Sequence, residues 1–314
     1  MQNYLMGLRT PREAPAQASH PMISTLFVST ALALASSYED AKHMAPPTHI
    51  SIGQLNRLIG TPNSPLLLDV RIDEDFDIDP QRLPAARRCA FTDVATLASE
   101  LQQQNVVVYC QKGLKISEGA AAVLRSNGVK AEVLTGGHFA WRDAGLPLIA
   151  EKLMPPRNKL KQSIWVTRHR PKIDRIACPW LIRRFIDADA QFLYVSPSAV
   201  AAVAEKFNGV AFDIENVFWS HRGEDCTFDT MIKEFGLTTD PLNQLANIVR
   251  GSDTNRHDLT PESAGLLAVS LGLSRMYSDD LAQLDAGMPL YDALYRWCRD
   301  ASDEGHDWPT TTKS

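Results

Sequence analysis

The sequence predicts an α/β protein: a parallel sheet with helices on both faces in the first half, and an α+β, mostly helical unit in the second. Short apolar runs rich in β-branched residues alternate with amphipathic stretches up to about residue 150. A proline pair with charged flanks, "EKLMPPRNKLKQS", then interrupts the pattern. From about Cys226 onward, helix-length segments follow one another. Continuous apolar runs with helices between them are what a sheet buried on both faces requires.

In order, "ISIGQLNRLIG" reads as a helix and "PLLLDVR" as a buried strand. "TDVATLASELQQQ" is a helix with Thr92 as its cap, and "VVVYC" is a strand. "SEGAAAVLRSNG" is a helix stopped by Gly128, and "AEVL" closes the half as a strand. Pro155-Pro156 marks a linker. Beyond it "SIWVTR" and "QFLYV" are strands. "PWLIRRFIDA" between them is a helix with Pro179 at its first position. "FDTMIKEFG", "PLNQLANIVRG", "PESAGLLAVSLG", "SDDLAQLDAG" and "PLYDALYRWCRD" are helices. The expected organisation is a leader at 1–47, an α/β domain at 48–150, a linker at 151–162, a second domain at 163–300 and a tail at 301–314.

A net charge of −5 gives no global attraction to nucleic acid or anionic membrane, and no nucleic-acid partner is expected. Five scattered cysteines without a CxxC pair exclude a disulfide framework and favour a reducing, cytoplasmic setting. "PMISTLFVSTALALASSY" carries no charge and follows Arg9 and Arg12, so residues 21–37 read either as an export signal or as a loose leader. The run is short for a membrane span, and no stable span is expected.

Cys110 ends the strand "VVVYC", and "QKGLKI" leads from it into a helix. The loop after a parallel strand faces the ligand crevice. Amides at a helix N-terminus converge on anions and favour thiolate over thiol. Gly113 lets the loop curl, and Lys112 and Lys115 add positive charge. The stretch therefore builds an anion cradle with a nucleophilic sulfur at its floor. The alternative is a buried cysteine that merely ends a strand.

"LLLDVR", "VVVYCQKGLKIS", "AAAVLRSNG" and "LTGGHFAWRDAGLPL", in this order, resemble a single-domain rhodanese over about residues 50 to 148. The resemblance implies a sulfurtransferase without a cofactor. Cys110 would take sulfane sulfur from a thiosulfate-like donor, form a persulfide and pass the sulfur on. Backbone amides of Gln111, Lys112, Gly113, Leu114, Lys115, Ile116 and Ser117 would cradle the anion. Asp69 and Arg71 would support the site, and "GGHFAW" would form a structural turn and helix with Trp141 in the core. Two positions depart from the family pattern. Lys115 stands where arginine is usual, keeping the charge without the bidentate fork. Counted to Leu124 and Gly128, the loop reads one residue longer, a length that goes with larger tetrahedral anions in phosphatase and arsenate-reductase relatives.

The second half opens with a basic stretch containing Arg168, Arg170, Arg175, Arg183 and Arg184. It reads either as a solvated face paired with Asp174, Asp187 and Asp189 or as an oxyanion pocket. In the second reading Cys178 caps the following helix, and Arg168, Arg170, Arg175, Cys178 and Arg183 are anion candidates. Further on, Asp213, Glu215, His221, Glu224, Cys226, Asp253, His257 and Asp258 form a set of potential ligands. Their spacing matches no standard zinc pattern. They read either as structural residues or as a divalent site, zinc or manganese, built by His221 with Asp253 and either Cys226 or Glu215.

"WVTRHRPKIDRIACPWLIRRFID", "FDIENVFWSHRGEDCTFDTMIKEFGL", "IVRGSDT", "ESAGLLAVSLGLSR" and "YDALYRWCRD" are similar to the C-terminal domain of ChrB-type chromate-resistance proteins. The similarity implies bacterial chromate resistance, with chromate itself a candidate oxyanion and a functional link to a chromate transporter. The expected function is a rhodanese-type sulfurtransferase fused to a chromate-resistance domain. The alternatives are an oxyanion-responsive sensor without turnover and a thiol phosphatase or arsenate-reductase-like enzyme.

Overall fold

A computed structural model describes residues 48–305. The expected leader and residues 306–314 of the tail lie outside the described residues. The first half runs β1 (His49–Ile50), α1 (Ile52–Leu58), β2 (Leu66–Asp69), α2 (Asp73–Ile78), β3 (Gln81–Arg82), β4 (Arg87–Arg88), α3 (Val94–Leu101), β5 (Asn105–Tyr109), α4 (Lys115–Ser126), β6 (Lys130–Leu134), α5 (Gly137–Asp143) and β7 (Ile149–Ala150). The main sheet has the order β1-β6-β5-β2-β4, and every pairing in it is parallel. Strands β3 and β7 form a separate antiparallel pair.

Strand β5 lies at the centre, in register with β2 from Leu66↔Val106 to Asp69↔Tyr109. Its alternate side chains enter two different cores. Val106, Val108 and Cys110 pack with Val94, Ala98 and Leu124. Val107 and Tyr109 point the other way, into the core shared with the second half. Both faces are covered, so the run is apolar without alternation. Helix α1 starts on a capping box between Ser51 and Gln54. Thr92 does not cap α3: the helix begins after Asp93, with no side-chain cap, and Thr92 Oγ1 binds Asp93 instead.

The second half contains β8 (Ile164–Arg168), α6 (Asp174–Leu181), β9 (Gln191–Val195), α7 (Val200–Lys206), β10 (Val210–Ala211), α8 (Thr227–Glu234), α9 (Asp240–Asp253), α10 (Glu262–Met276) and α11 (Asp280–Asp300). Its sheet is parallel, in the order β10-β8-β9. Three sequence expectations are corrected here. Helix α6 starts at Asp174 and continues as a π-helical turn over Ile182–Ile186, so Pro179 lies inside it and Cys178 caps nothing. "SDDLAQLDAG" and "PLYDALYRWCRD" are one helix, α11, with Pro289 inside. The buried stripe Leu284, Met288, Tyr291, Tyr295, Cys298 runs across the proline at helical spacing, and its packing overrides the local breaker. Helix α7 is an additional element that sequence reading passed over.

The segment between the halves is packed down. Leu153 and Met154 lie against a core that joins Leu55, Ile59 and Trp141 of the first half to Trp180, Phe185 and Tyr295 of the second.

Candidate functional site

Cys110 sits at the C-terminal end of β5 and is 5% exposed. Its Sγ lies 3.2 Å from Ser117 Oγ. The Ser117 hydroxyl is also 3.0 Å from the Leu114 carbonyl, so its single proton serves either the carbonyl or the sulfur. Burial pushes the Cys110 thiol up. The Ser117 hydroxyl and the amides of Ser117, Leu114 and Lys112 outweigh it and hold the thiol below its ordinary value.

Two close backbone approaches shape this loop. Gly113 has φ +66°, and a Cβ there would lie 2.4 Å from the Leu134 carbonyl. Gly137 has φ +60°, and its Cβ would lie 2.3 Å from the Cys110 carbonyl and 2.4 Å from Gly113 N. Only glycine fits either position. The first amides of α5 complete the clasp, His138 N–H donating to Cys110 O and Phe139 N–H to Gln111 O, both at 3.0 Å. Gln111 and Ile116 are half-buried; Lys112, Leu114 and Lys115 face solvent. Neither lysine is in an ion pair among the described residues.

Asp69 and Arg71 do not reach the sulfur. Arg71 Nε donates to Asp69 Oδ1 at 2.9 Å, and its Nη atoms donate to the carbonyls of Asp79 and Gln81. The pair ties the end of β2 to the chain entering β3, a positioning role. His138 adds a contact to Asp79 at 2.9 Å, and Trp141 is fully buried beside it. A cavity of about 610 Å³ lies away from Cys110, lined by Arg82, Arg88, Cys89, Arg157 and Lys161 among others. The Cys89 thiol is pushed up by its burial.

In the second half the five expected anion-binding residues do not converge. Arg170 binds the Ser274 carbonyl at 2.5 Å, and Arg183 pairs with Asp285 and lies over Phe192. Cys178 is fully buried, and burial followed by neighbouring carboxylates pushes its thiol well up, the opposite of a helix-end thiolate. Only Arg168 and Arg175 meet, each 3.2 Å from Asp213 Oδ2.

The expected metal ligands divide in the same way. His221 and Asp253 come together, Nε2 to Oδ2 at 3.2 Å. Glu215 is exposed and is not one of the groups that gather around His221. Cys226 is fully buried as the N-cap of α8; burial and Asp174 push its thiol well up. The positions expected for Glu215 or Cys226 are taken by Asp174 and Asp213, 3.4 and 3.5 Å from His221 Nε2. Burial and the charge of Asp253 raise Asp174 to about 7. The three carboxylates raise His221 to about 12. Asp174 had no distinguishing signal in the sequence, because an acid in the first turn of a helix is ordinary.

Among the described residues no helix is long and apolar enough to cross a membrane. The family described as "Rhodanese-like domain" matches residues 51–144, and "ChrB, C-terminal domain" matches residues 165–298. Protein ChrB of Cupriavidus metallidurans is 33% identical over 132 residues, covering 42% of this chain and 39% of the relative, so the match spans about two fifths of that protein. Among solved structures, a rhodanese-related protein from Thermoplasma volcanium is 19% identical, covers 32% of this chain and 96% of its own, and has a TM-score of 0.28. A rhodanese-like domain protein from Staphylococcus aureus is 21% identical, covers 30% and 90%, and has a TM-score of 0.27. The chain thus joins a rhodanese-like domain, residues 51–144, to a ChrB C-terminal domain, residues 165–298.

Proposed function

We propose that this protein is a sulfurtransferase working through a Cys110 persulfide, in the setting of bacterial chromate resistance. The observation that carries the reading is the Cys110 thiol: nearly buried, yet held below its ordinary value by the Ser117 hydroxyl and inward-facing amides. A buried cysteine with a packing role alone would be pushed the other way, as Cys178 and Cys226 are. In the reaction the Cys110 thiolate attacks the sulfane sulfur of thiosulfate. The new S–S bond forms as the old one breaks, and sulfite leaves with the electron pair. A second nucleophile, a thiol or cyanide, then takes the outer sulfur and restores the thiolate. Amides that stabilise the thiolate also face the anionic donor, which suits the cradle to both partners. The chromate setting rests on the similarity of residues 165–298 to the ChrB C-terminal domain.

The test is intact-mass spectrometry of the purified chain after exposure to thiosulfate, followed by addition of cyanide. A gain of one sulfur atom, lost on cyanide addition with release of thiocyanate over many turnovers, is the expected result. Persulfide without turnover would identify a sensor. Hydrolysis of an aryl phosphate, or reduction of arsenate, without persulfide formation would identify an oxyanion enzyme instead.

A further inference from the structure

We propose that Asp174, Asp213, His221 and Asp253 form a binding site for one divalent first-row transition metal ion. The site goes beyond the reaction at Cys110 and is independent of it. Its four groups come from four places in the second half. Asp174 is the first residue of α6, and Asp213 follows β10. His221 lies in the loop before α8, and Asp253 is the last residue of α9. The expectation of a thiol or Glu215 as third ligand is replaced by two aspartates.

The spacing favours a metal over a plain ion-pair cluster. His221 Nε2 lies 3.2 Å from Asp253, 3.4 Å from Asp174 and 3.5 Å from Asp213. A charge-assisted N–H···O bond closes to about 2.7–2.9 Å, and one N–H cannot serve three carboxylates. A tetrahedral shell with metal–ligand bonds of about 2.1 Å has edges of about 3.4 Å, and the three distances from His221 match that edge. One ligand atom each from Asp174, Asp213 and His221 lie within 4.8 Å of one another and form the heart of the site; Asp253 joins it through His221 and stands outside that tight group.

A second, independent observation comes from Asp174. Its side chain is fully buried, and its Oδ1 has no hydrogen-bond partner. The oxygen 3.4 Å from His221 is Oδ2, so a cation held by both oxygens of this carboxylate would give Oδ1 the partner whose absence costs folding free energy. The other oxygen, Oδ2, accepts from Thr227 N–H at 2.6 Å, at the start of α8. Thr227 Oγ1 donates to Asp213 Oδ1 at 2.9 Å, and Arg168 and Arg175 hold Asp213 Oδ2. Thr227 thus fixes the two oxygens nearest His221, and the arginines hold the far oxygen of Asp213, so the carboxylates are oriented as metal-binding carboxylates are.

The donor set narrows the ion. One imidazole with three carboxylates suits manganese, iron or zinc; calcium and magnesium bind oxygen donors alone. The His221 side chain is 42% exposed and Arg168 41%, so the site opens to solvent on that side. A water or anion can complete the shell there, beside two guanidinium groups.

The test uses the full chain, treated with chelator, dialysed and titrated calorimetrically with manganese(II) chloride and separately with zinc(II) chloride. At least one of the two should bind with one equivalent per chain. His221→Ala and Asp174→Asn should each weaken that binding by at least about tenfold, as loss of a ligand must exceed loss of an outer partner. Glu215→Gln and Cys226→Ser should leave it unchanged. His221 is partly exposed, so its variant is expected to fold; Asp253→Asn replaces Asp174→Asn if the latter does not. Absence of binding for both ions in the unaltered chain, or binding in His221→Ala equal to that of the unaltered chain, would overturn the proposal.

Discussion

At the scale of single residues, the five cysteines separate by what surrounds their sulfur. Cys110→Ser is expected to abolish the persulfide, and Cys89→Ser to leave it, because donors around the Cys110 sulfur hold its thiol below the ordinary value while burial pushes the Cys89 thiol up. Mass spectrometry of the two variants decides this, and a persulfide in Cys110→Ser would sink the assignment. The pH profile carries a second test. The thiolate is the reactive form and its pKa is depressed, so the transfer rate should rise as pH climbs through that value and level off above it. Ser117→Ala removes a donor that stabilises the anion. The rise should therefore move to higher pH, with a slower rate at neutral pH and a similar plateau. A profile that does not move would show that the Ser117 proton stays on the Leu114 carbonyl. Lys115 faces solvent, and an exposed charge contact is worth at most about 1 kcal/mol; Lys115→Ala should raise KM about fivefold while kcat changes little. The sulfur's place was legible because a strand, a glycine and a helix follow one another directly in sequence. Asp174 was not, because its partners lie about 40 to 80 residues away along the chain.

At the scale of elements, the cradle is a joint between three pieces of backbone: the end of β5, the start of α4 and the turn into α5. Gly137→Ala places a methyl group against the Cys110 carbonyl and Gly113 N while holding an L-residue at positive φ. It should cost at least about 2 kcal/mol of stability and remove sulfur transfer, read by denaturant unfolding and by persulfide mass. Normal transfer in that variant would show that the turn can move without disturbing the sulfur. The parallel strands were legible from their apolar runs, and α4 from its stop at Gly128. Helix α6 was misread because Pro179 resembles a first-turn proline, whereas tertiary packing of Ile176, Ala177 and Trp180 extends the helix upstream. Pro289 misled in the same way.

At the scale of the whole molecule, the two domains share one apolar core. Gly60 lets the first half press on the second: a Cβ there would lie 2.4 Å from the Phe185 ring and 2.8 Å from the Tyr295 ring. Ala85 N–H donates to Phe185 O at 2.6 Å, and Arg87 pairs with Asp189 across the same contact. Calorimetry should accordingly show one cooperative transition for the described region. Phe185→Ala should lower its stability by about 3–5 kcal/mol and split the transition in two. Two transitions in the unaltered chain would mean that the halves fold independently. The proline pair in the sequence pointed to a joint between domains; how closely the joint is packed depends on residues such as Gly60 and Phe185, far apart in the chain, and no local pattern announces it. The shared core also makes the peptide between the halves dispensable as a tether. Lys159, Leu160 and Lys161 are exposed, and a protease cutting there would produce two fragments that remain bound to each other. Either fragment made alone would carry the other's imprint as a bare apolar surface and would stick to itself.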